Sequence, residues 1–243
     1  MWKKKQLHTA RPRRATARRM PARVVLVRHA QSTFNALHLI QGQLDLETPL
    51  DDVGLAQVAR GAPACAALHR DSRAVYTSDL SRAAVTASAI ARELGVDCVR
   101  DARLRERHLG VLQGLPRREL AEAAPEAHRA FKSRDADVEI PGGGESARSV
   151  DARLRAFFRD VATRHAGEKI IAVTHGGVLG RVFSGGRNEE EKCLCVVRRG
   201  VGNLAECIIT VNEDGSWFCD YSTWASSRFL GDDEETLRAD DVA

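Results

Sequence analysis

Two short aliphatic runs constrain this chain more than any other feature. Val24-Val25-Leu26-Val27 and Ile170-Ile171-Ala172-Val173 show no polar alternation, the pattern of strands buried on both faces. A third, shorter run is Ala74-Val75-Tyr76. Each run stops abruptly at residues that can do chemistry: Arg28-His29, Thr174-His175-Gly176-Gly177 and Thr77-Ser78-Asp79. Helical stretches lie between them. Leu55 to His69 is Ala-rich and amphipathic, and Gly61 and Pro63 are expected to kink it. Leu80 to Leu94 is expected to be a helix with Asp79 or Ser78 as N-cap and Gly95 as its stop. Val150 to His165 is another, ending before Gly167. Such alternation predicts an α/β fold: a three-layer α/β/α sandwich with a mostly parallel central sheet.

Composition then narrows the class. The chain has 243 residues, of which 43% are hydrophobic and 29% charged, enough for a sizeable core. That excludes a wholly disordered chain, a collagen and a small disulfide scaffold. No apolar run approaches the roughly 18 residues that a membrane helix needs. There is no internal repeat. The net charge of +4 is misleading until it is divided. Residues 1–23 carry nine basic residues and no acid, and residues 231–243 carry six acids and one Arg. The stretch between is balanced, so the basic character gives no reason to expect nucleic acid as a partner. Few aromatics, Trp224 among them, argue against a single-strand stacking platform. The division reads as a basic tail (1–23), one domain (24–230) and an acidic tail (231–243). The basic tail fits either a solvated disordered segment or an organelle targeting peptide. The expected location is intracellular, cytoplasmic or in an organelle accordingly, with no membrane partner. The six cysteines form no CxxC pair, which suits free thiols in a reduced compartment. Oligomeric state is open, a homodimer included.

The strand ends carry the function. In open parallel sheets, ligands bind beyond the carboxyl ends of the strands. Parallel pairing would therefore gather Arg28, His29, Ser78 and His175 at one edge, with Arg82 following one helical turn after Ser78. Two guanidiniums held close repel each other unless an anion bridges them, and Arg suits phosphate. Helix N-termini after Ser32, Ser78 and Gly176 would add N–H donors. Neutral imidazole is a competent nucleophile toward phosphorus, and the other cations can carry the charge of phosphoryl transfer. A leaving alkoxide needs a proton, for which Glu106 is the candidate.

These residues sit in motifs. Arg28-His29-Ala30-Gln31-Ser32-Thr33-Phe34-Asn35 resembles the Arg-His-Gly-Glu motif of the histidine phosphatase superfamily, the phosphoglycerate mutase-like fold. Gln41-Gly42-Gln43-Leu44-Asp45 resembles the QGxxD that follows it. Tyr76 to Ala83 resembles the segment bearing the second Arg. Leu104-Arg105-Glu106 and Val173-Thr174-His175-Gly176 resemble the acid and second-His motifs. Five motifs in order, over about 24 to 230, are highly specific. ERHLGVLQG and IPGGGES are most like plant-type phosphoglycerate mutase-like proteins. The resemblance implies that His29 is the phosphorylated nucleophile and that Arg28, Arg82 and His175 bind the phosphoryl group. Glu106 would be the proton donor and later the base for water. Ser32, Asn35, Gln41, Gly42 and Gly176 would belong to the phosphate and substrate site. No metal and no cofactor are implied, and the partner is a small phosphorylated substrate. Two departures stand out: Ala30 and Gln31 replace Gly-Glu. Ala30 is tolerable only at negative φ.

The implied reaction is metal-independent hydrolysis of a small phosphorylated metabolite. The alternatives are phosphoglycerate mutase activity and an inactive phosphate-binding protein. The mutases of the family carry a longer insertion between the acid and the Gly-rich loop. The stretch from Glu106 to Gly144 is short here, which favours hydrolysis. Specificity is expected from 107–145 and from residues near Asn35 and Gln41, while the charge pattern of 107–145 does not decide it. Arg117, Arg118, Arg129, Lys132 and Arg134 there would either select acidic metabolites or form a solvated face. His8, His38, His69, His108, His128 and His165 read as solvated or structural. Cys193-x5-Arg199 formally fits a cysteine-phosphatase loop, but its insert reads as strand. Cys193-x-Cys195 lacks the further ligands of a metal clip. Gly142-Gly143-Gly144-Glu145-Ser146 lacks the Gly-Lys-Ser/Thr of a nucleotide loop. It is expected to cap the helix beginning near Ser146 or Ser149 and to lie near the pocket mouth.

Overall fold

A computed structural model describes residues 19–45, 49–185 and 201–225. The elements run β1 (Ala22–Arg28), α1 (Thr33–Ala36), α2 (Asp52–Leu68), β2 (Ser72–Thr77), α3 (Ser81–Leu94) and β3 (Cys98–Arg100). Then follow α4 (Leu120–Ala123), α5 (Pro125–Phe131), α6 (Ala147–Arg164), β4 (Lys169–Thr174), α7 (Gly176–Gly185), β5 (Glu206–Val211) and β6 (Trp217–Ala225). The sheet order is β3-β2-β4-β1-β5-β6. The first four strands pair in parallel, and β5 and β6 add an antiparallel edge.

The aliphatic runs are buried on both faces. Val24, Val25, Leu26 and Val27 are all fully buried, each worth about 2 kcal/mol of apolar burial. Alternate residues serve opposite layers. Val25, Val27, Val75, Ile171 and Val173 pack with Ala62 and Cys65 of α2 and Ala83, Ala87 and Ile90 of α3. Val24, Leu26, Ile170 and Ala172 pack with Leu154, Phe157 and Phe158 of α6 and Val178 and Val182 of α7. The sandwich therefore has helices on both faces of a mixed sheet. A third, small cluster of Ile40, Leu109, Leu112, Leu120, Ala127 and Ile140 forms a cap to one side.

One local expectation needs correction, the N-cap of α3, while others hold. Asp51 caps α2 by accepting the Gly54 N–H at 2.7 Å, and the helix continues through Pro63. Neither Asp79 nor Ser78 caps α3. Leu80 holds the N-cap position without a side-chain bond, because Asp79 is drawn into an ion pair with Arg105. Gly95 does end α3, at φ +67. Ser146 caps α6 by accepting the Ser149 N–H at 3.1 Å. The antiparallel strands β5 and β6 escaped the sequence reading. The rival loop at Cys193–Arg199 lies outside the described residues, as do residues 1–18 of the basic tail, residues 226–230 and the whole acidic tail. Among the described residues no helix is long and apolar enough to cross a membrane.

Phe157 is fully buried, edge-on to Tyr76 at 5.6 Å and to Phe158 at 5.6 Å. Phe157→Ala should lower unfolding stability by about 3–5 kcal/mol. Urea unfolding checks this, and a loss under about 1 kcal/mol would show that α6 does not close the core as described.

Candidate active site

Strand register builds the site. Arg28 of β1 pairs with Thr174 of β4, and Thr77 of β2 pairs with Val173. The residues that follow, His29, His175 and Ser78, therefore leave the sheet at the same edge, Ser78 one position short of the two histidines. The His29 N–H donates to Thr174 O at 2.9 Å, and the Ser78 N–H to Val173 O at 3.1 Å. The two imidazoles meet with centroids 5.1 Å apart.

Hydrogen bonds settle the His29 tautomer. Its Nδ1 lies 2.7 Å from Ala30 O, which can only accept, so the proton is on Nδ1. Nε2 then carries the lone pair, and it accepts from Arg82 Nε at 3.2 Å. Arg82 is itself 1% exposed. Its other nitrogens donate to Gly42 O at 2.7 Å and Leu44 O at 3.2 Å. Burial lowers its guanidinium to about 10, opposed by Glu106 and Asp45, so it stays cationic at neutral pH. Arg28 NH1 donates to Val201 O. Burial, then Arg82 and Arg28, hold His29 well below its ordinary value of 6.5. His175 is depressed in the same way, by burial first and then by Arg82 and His29. Both its ring nitrogens are buried without a hydrogen-bond partner among the described residues. His29, Arg28 and Arg82 thus line one cavity of about 50 Å³, with the neutral His175 imidazole packed against His29 behind it.

Glu106 reaches this cavity from the segment after a 3-10 turn. Its carboxylate accepts the Gly177 N–H at 2.9 Å, at the start of α7, and its own neighbour's N–H, from Arg107, at 2.8 Å. Gly177 permits this contact, since a Cβ there would come within 2.5 Å of Glu106 Oε1. Gly42 adopts φ +54, which presents its carbonyl to Arg82.

Most of the expected residues converge. Arg28, His29, Asn35, Gln41, Gly42, Arg82, Glu106 and Gly176 line the cavity. His175 sits beside His29 beneath them. Ser32 is an exception. Its hydroxyl donates to Gln41 Oε1 at 2.8 Å and caps α1, so it steadies a lining residue and does not line the cavity itself. Of the five cationic residues in the cap, Arg117 lines the cavity with Leu39, Ile40 and Leu109. Arg118 pairs with Glu119 at the surface. Ala30 is buried and is absent from the positive-φ residues, so its methyl costs nothing in the backbone. Gln31 donates to Asp51 Oδ2 at 2.9 Å. His69 pairs with Glu206, and His165 with Tyr76 and Glu168. Sequence reasoning missed Asn203, whose Nδ2 donates to His29 O at 2.9 Å. It also missed Gln43 and Arg153, which hold the backbone of Glu106. No motif marked Asn203 or Arg153, whereas Gln43 lay inside QGQLD.

Comparisons with known proteins agree with this geometry. The family model described as "Histidine phosphatase superfamily (branch 1)" matches residues 24–215. "Phosphoglycerate mutase-like protein 4" of Arabidopsis thaliana is 42% identical over 181 residues, covering 74% of this chain and 77% of that one. "Metal-independent phosphoserine phosphatase" of the same plant is 45% identical over 163 residues, covering 66% of each chain. A solved structure of a mycobacterial glucosyl-3-phosphoglycerate phosphatase complexed with VO3 superposes with a TM-score of 0.66 at 29% identity, over 84% of this chain and 98% of that one.

The two depressed histidines give a sign that can be checked. Each binds fewer protons folded than unfolded below its ordinary 6.5. Their contribution to stability is whole above about 6.5 and declines as pH falls below it. In the free protein, NMR should show His29 and His175 as neutral imidazoles down through pH 6.5, protonating only well below it. Titration of both at or above 6.5 would contradict the buried, doubly cationic site.

Proposed function

The chain belongs to the histidine phosphatase superfamily, and we propose that it hydrolyses a small phosphorylated metabolite by a metal-independent route through phosphorylated His29. The observation that carries this reading is the His29 tautomer. Nδ1 is committed to Ala30 O, so the lone pair is on Nε2 at the cavity, where Arg82 Nε holds it until the phosphoryl group takes over that donor. Depression of its pKa keeps that lone pair available at neutral pH.

The substrate's phosphoryl group enters between His29, Arg28, Arg82 and His175. The Nε2–P bond forms as the P–O bond to the leaving group breaks. Charge on the equatorial oxygens is met by the two guanidiniums and by the positive end of α7. Arg82 is suited to this because its hydrogen-bond partners, the Gly42 and Leu44 carbonyls and the neutral His29 ring, carry no charge to compete with an anion. Glu106 gives a proton to the departing oxygen. Its carboxylate then takes a proton from water, whose oxygen attacks phosphorus and breaks the P–N bond. Phosphate leaves and His29 returns neutral.

Hydrolysis rather than transfer is supported by the short cap. Residues 107–145 contribute short helical turns around Leu109, Leu112 and Leu120, not a long cover that would exclude water. A curated relative is named a phosphoserine phosphatase. O-phosphoserine and 3-phosphoglycerate are therefore the first substrates to try.

In an assay with EDTA present, wild type should release phosphate from at least one member of a phosphomonoester panel. His29→Ala should lose at least about 1000-fold in kcat, as expected for a nucleophile. Activity surviving in that variant would rule out the nucleophile. Isomerisation of 3-phosphoglycerate without phosphate release would make the protein a mutase.

A further inference from the structure

Glu106 must reach the cavity from residues 105–109, a segment without regular helix or strand. Such a segment supplies no backbone ladder of its own, so its placement depends on side chains from elsewhere. Gln113 Oε1 accepts the Leu109 N–H at 3.2 Å and the Glu145 main-chain N–H donates to His108 O at 2.9 Å, and three further side chains converge on Glu106 and His108. Arg153 of α6 donates from NH2 to Glu106 O at 3.1 Å and from NH1 to Arg103 O at 2.7 Å. Gln43, from the loop that also binds Arg82, donates from Nε2 to the same Glu106 O at 2.9 Å. Glu145, from the Gly-rich loop, ties these together. Its Oε1 accepts Arg153 Nε at 2.9 Å. Its Oε2 accepts Arg153 NH2 at 3.1 Å, the His108 N–H at 2.9 Å and Gln43 Nε2 at 3.3 Å.

We propose that Glu145, with Arg153 and Gln43, is a positioning unit that fixes the main chain of the proton donor Glu106; the proposal rests on the role given to Glu106 above. Glu145 does not line the cavity, so it acts through Glu106 and is not itself catalytic. Its side chain only accepts, taking four hydrogen bonds into the carboxylate, while its main chain donates to His108 O at 2.9 Å and accepts from Arg107 Nε at 2.8 Å. Burial alone would raise its carboxyl. The hydrogen bonds and charge of Arg153, with the His108 N–H, instead hold it below the ordinary carboxylate range. The pair is largely screened from solvent, Arg153 being 15% and Glu145 23% exposed. A glutamine at 145 has the same shape but turns an NH2 group toward donors. It should release the Glu106 carbonyl while leaving His29, Arg28, Arg82 and His175 untouched. The unit also links the acid to the loop that binds Arg82, because Gln43 follows Gly42 directly.

The test uses leaving groups. An alkoxide needs the proton of Glu106, whereas p-nitrophenolate leaves without one. Rapid-quench rates of phosphoenzyme formation would be compared for p-nitrophenyl phosphate and for the fastest alkyl substrate among O-phosphoserine, 3-phosphoglycerate and glycerol phosphate. Glu145→Gln should slow the alkyl reaction by about 100-fold and the nitrophenyl reaction by less than about threefold, with KM within about threefold of wild type. Glu145→Asp should recover part of the alkyl rate. Adding Glu145→Gln to Glu106→Gln should cost no more than about twofold further. Equal slowing with both leaving groups, or additive losses in the double variant, would overturn the positioning role. If Glu145→Gln unfolds, Gln43→Leu, which removes one of the two donors to Glu106 O, must show the same selectivity for the alkyl substrate. Wild type forming no phosphoenzyme with any substrate would overturn the phosphohistidine reading and this inference together.

Discussion

The parallel register of β1, β4 and β2 is the constraint on which the site depends. Arg28 stands opposite Thr174, and Thr77 opposite Val173. The residues that follow therefore emerge together, and two histidines far apart in sequence come to lie 5.1 Å apart. That register is enforced by the aliphatic runs. A slip of one residue would turn the α2–α3 face of β1 toward α6 and α7. The fold core and the catalytic geometry are consequently one object.

Burying this much polarity carries a cost, and the structure meets it with fixed dipoles. Arg82 is almost wholly buried, and its hydrogen bonds go to the Gly42 and Leu44 carbonyls and to His29. A carboxylate partner would have neutralised it more strongly, but would also have competed with phosphate for it. Glu106 is kept apart, its carboxylate turned to the α7 N-terminus at Gly177. The guanidiniums of Arg28 and Arg82 against the carboxylate of Glu106, with the neutral His29 between them, leave the cavity net positive, which a phosphate dianion complements. Burial first, and then the same cations, disfavour protonation of His29, so the charge that attracts the substrate also helps keep the nucleophile ready.

Much of this was legible in the chain. The apolar runs marked β1, β2 and β4, and His29, Arg82, Glu106 and His175 stood in motifs whose order is highly specific. The helices α2, α3 and α6 followed from their periodicity. What escaped notice depended on tertiary partners. Asp79 looked like a cap for α3, yet the reach of Arg105 gives it a different role. Ser32 looked like a phosphate ligand, but its hydroxyl turns to Gln41. The strands β5 and β6 carry interrupted patterns such as Glu-Cys-Ile-Ile-Thr-Val, which periodicity alone does not separate from loop. Asn203 and Arg153 are ordinary polar residues in sequence. Only the folded chain brings one to His29 O and the other to Glu106 O.

The central claim is that the phosphoryl group is carried on one particular nitrogen of one particular histidine. Rapid-quench trapping of the phosphoenzyme, followed by peptide mapping and 31P NMR, tests it directly. The expected result is a single acid-labile, alkali-stable adduct on Nε2 of His29, because Nδ1 is committed to Ala30 O. An adduct on Nδ1, on His175, on a cysteine or on a carboxylate would contradict the account.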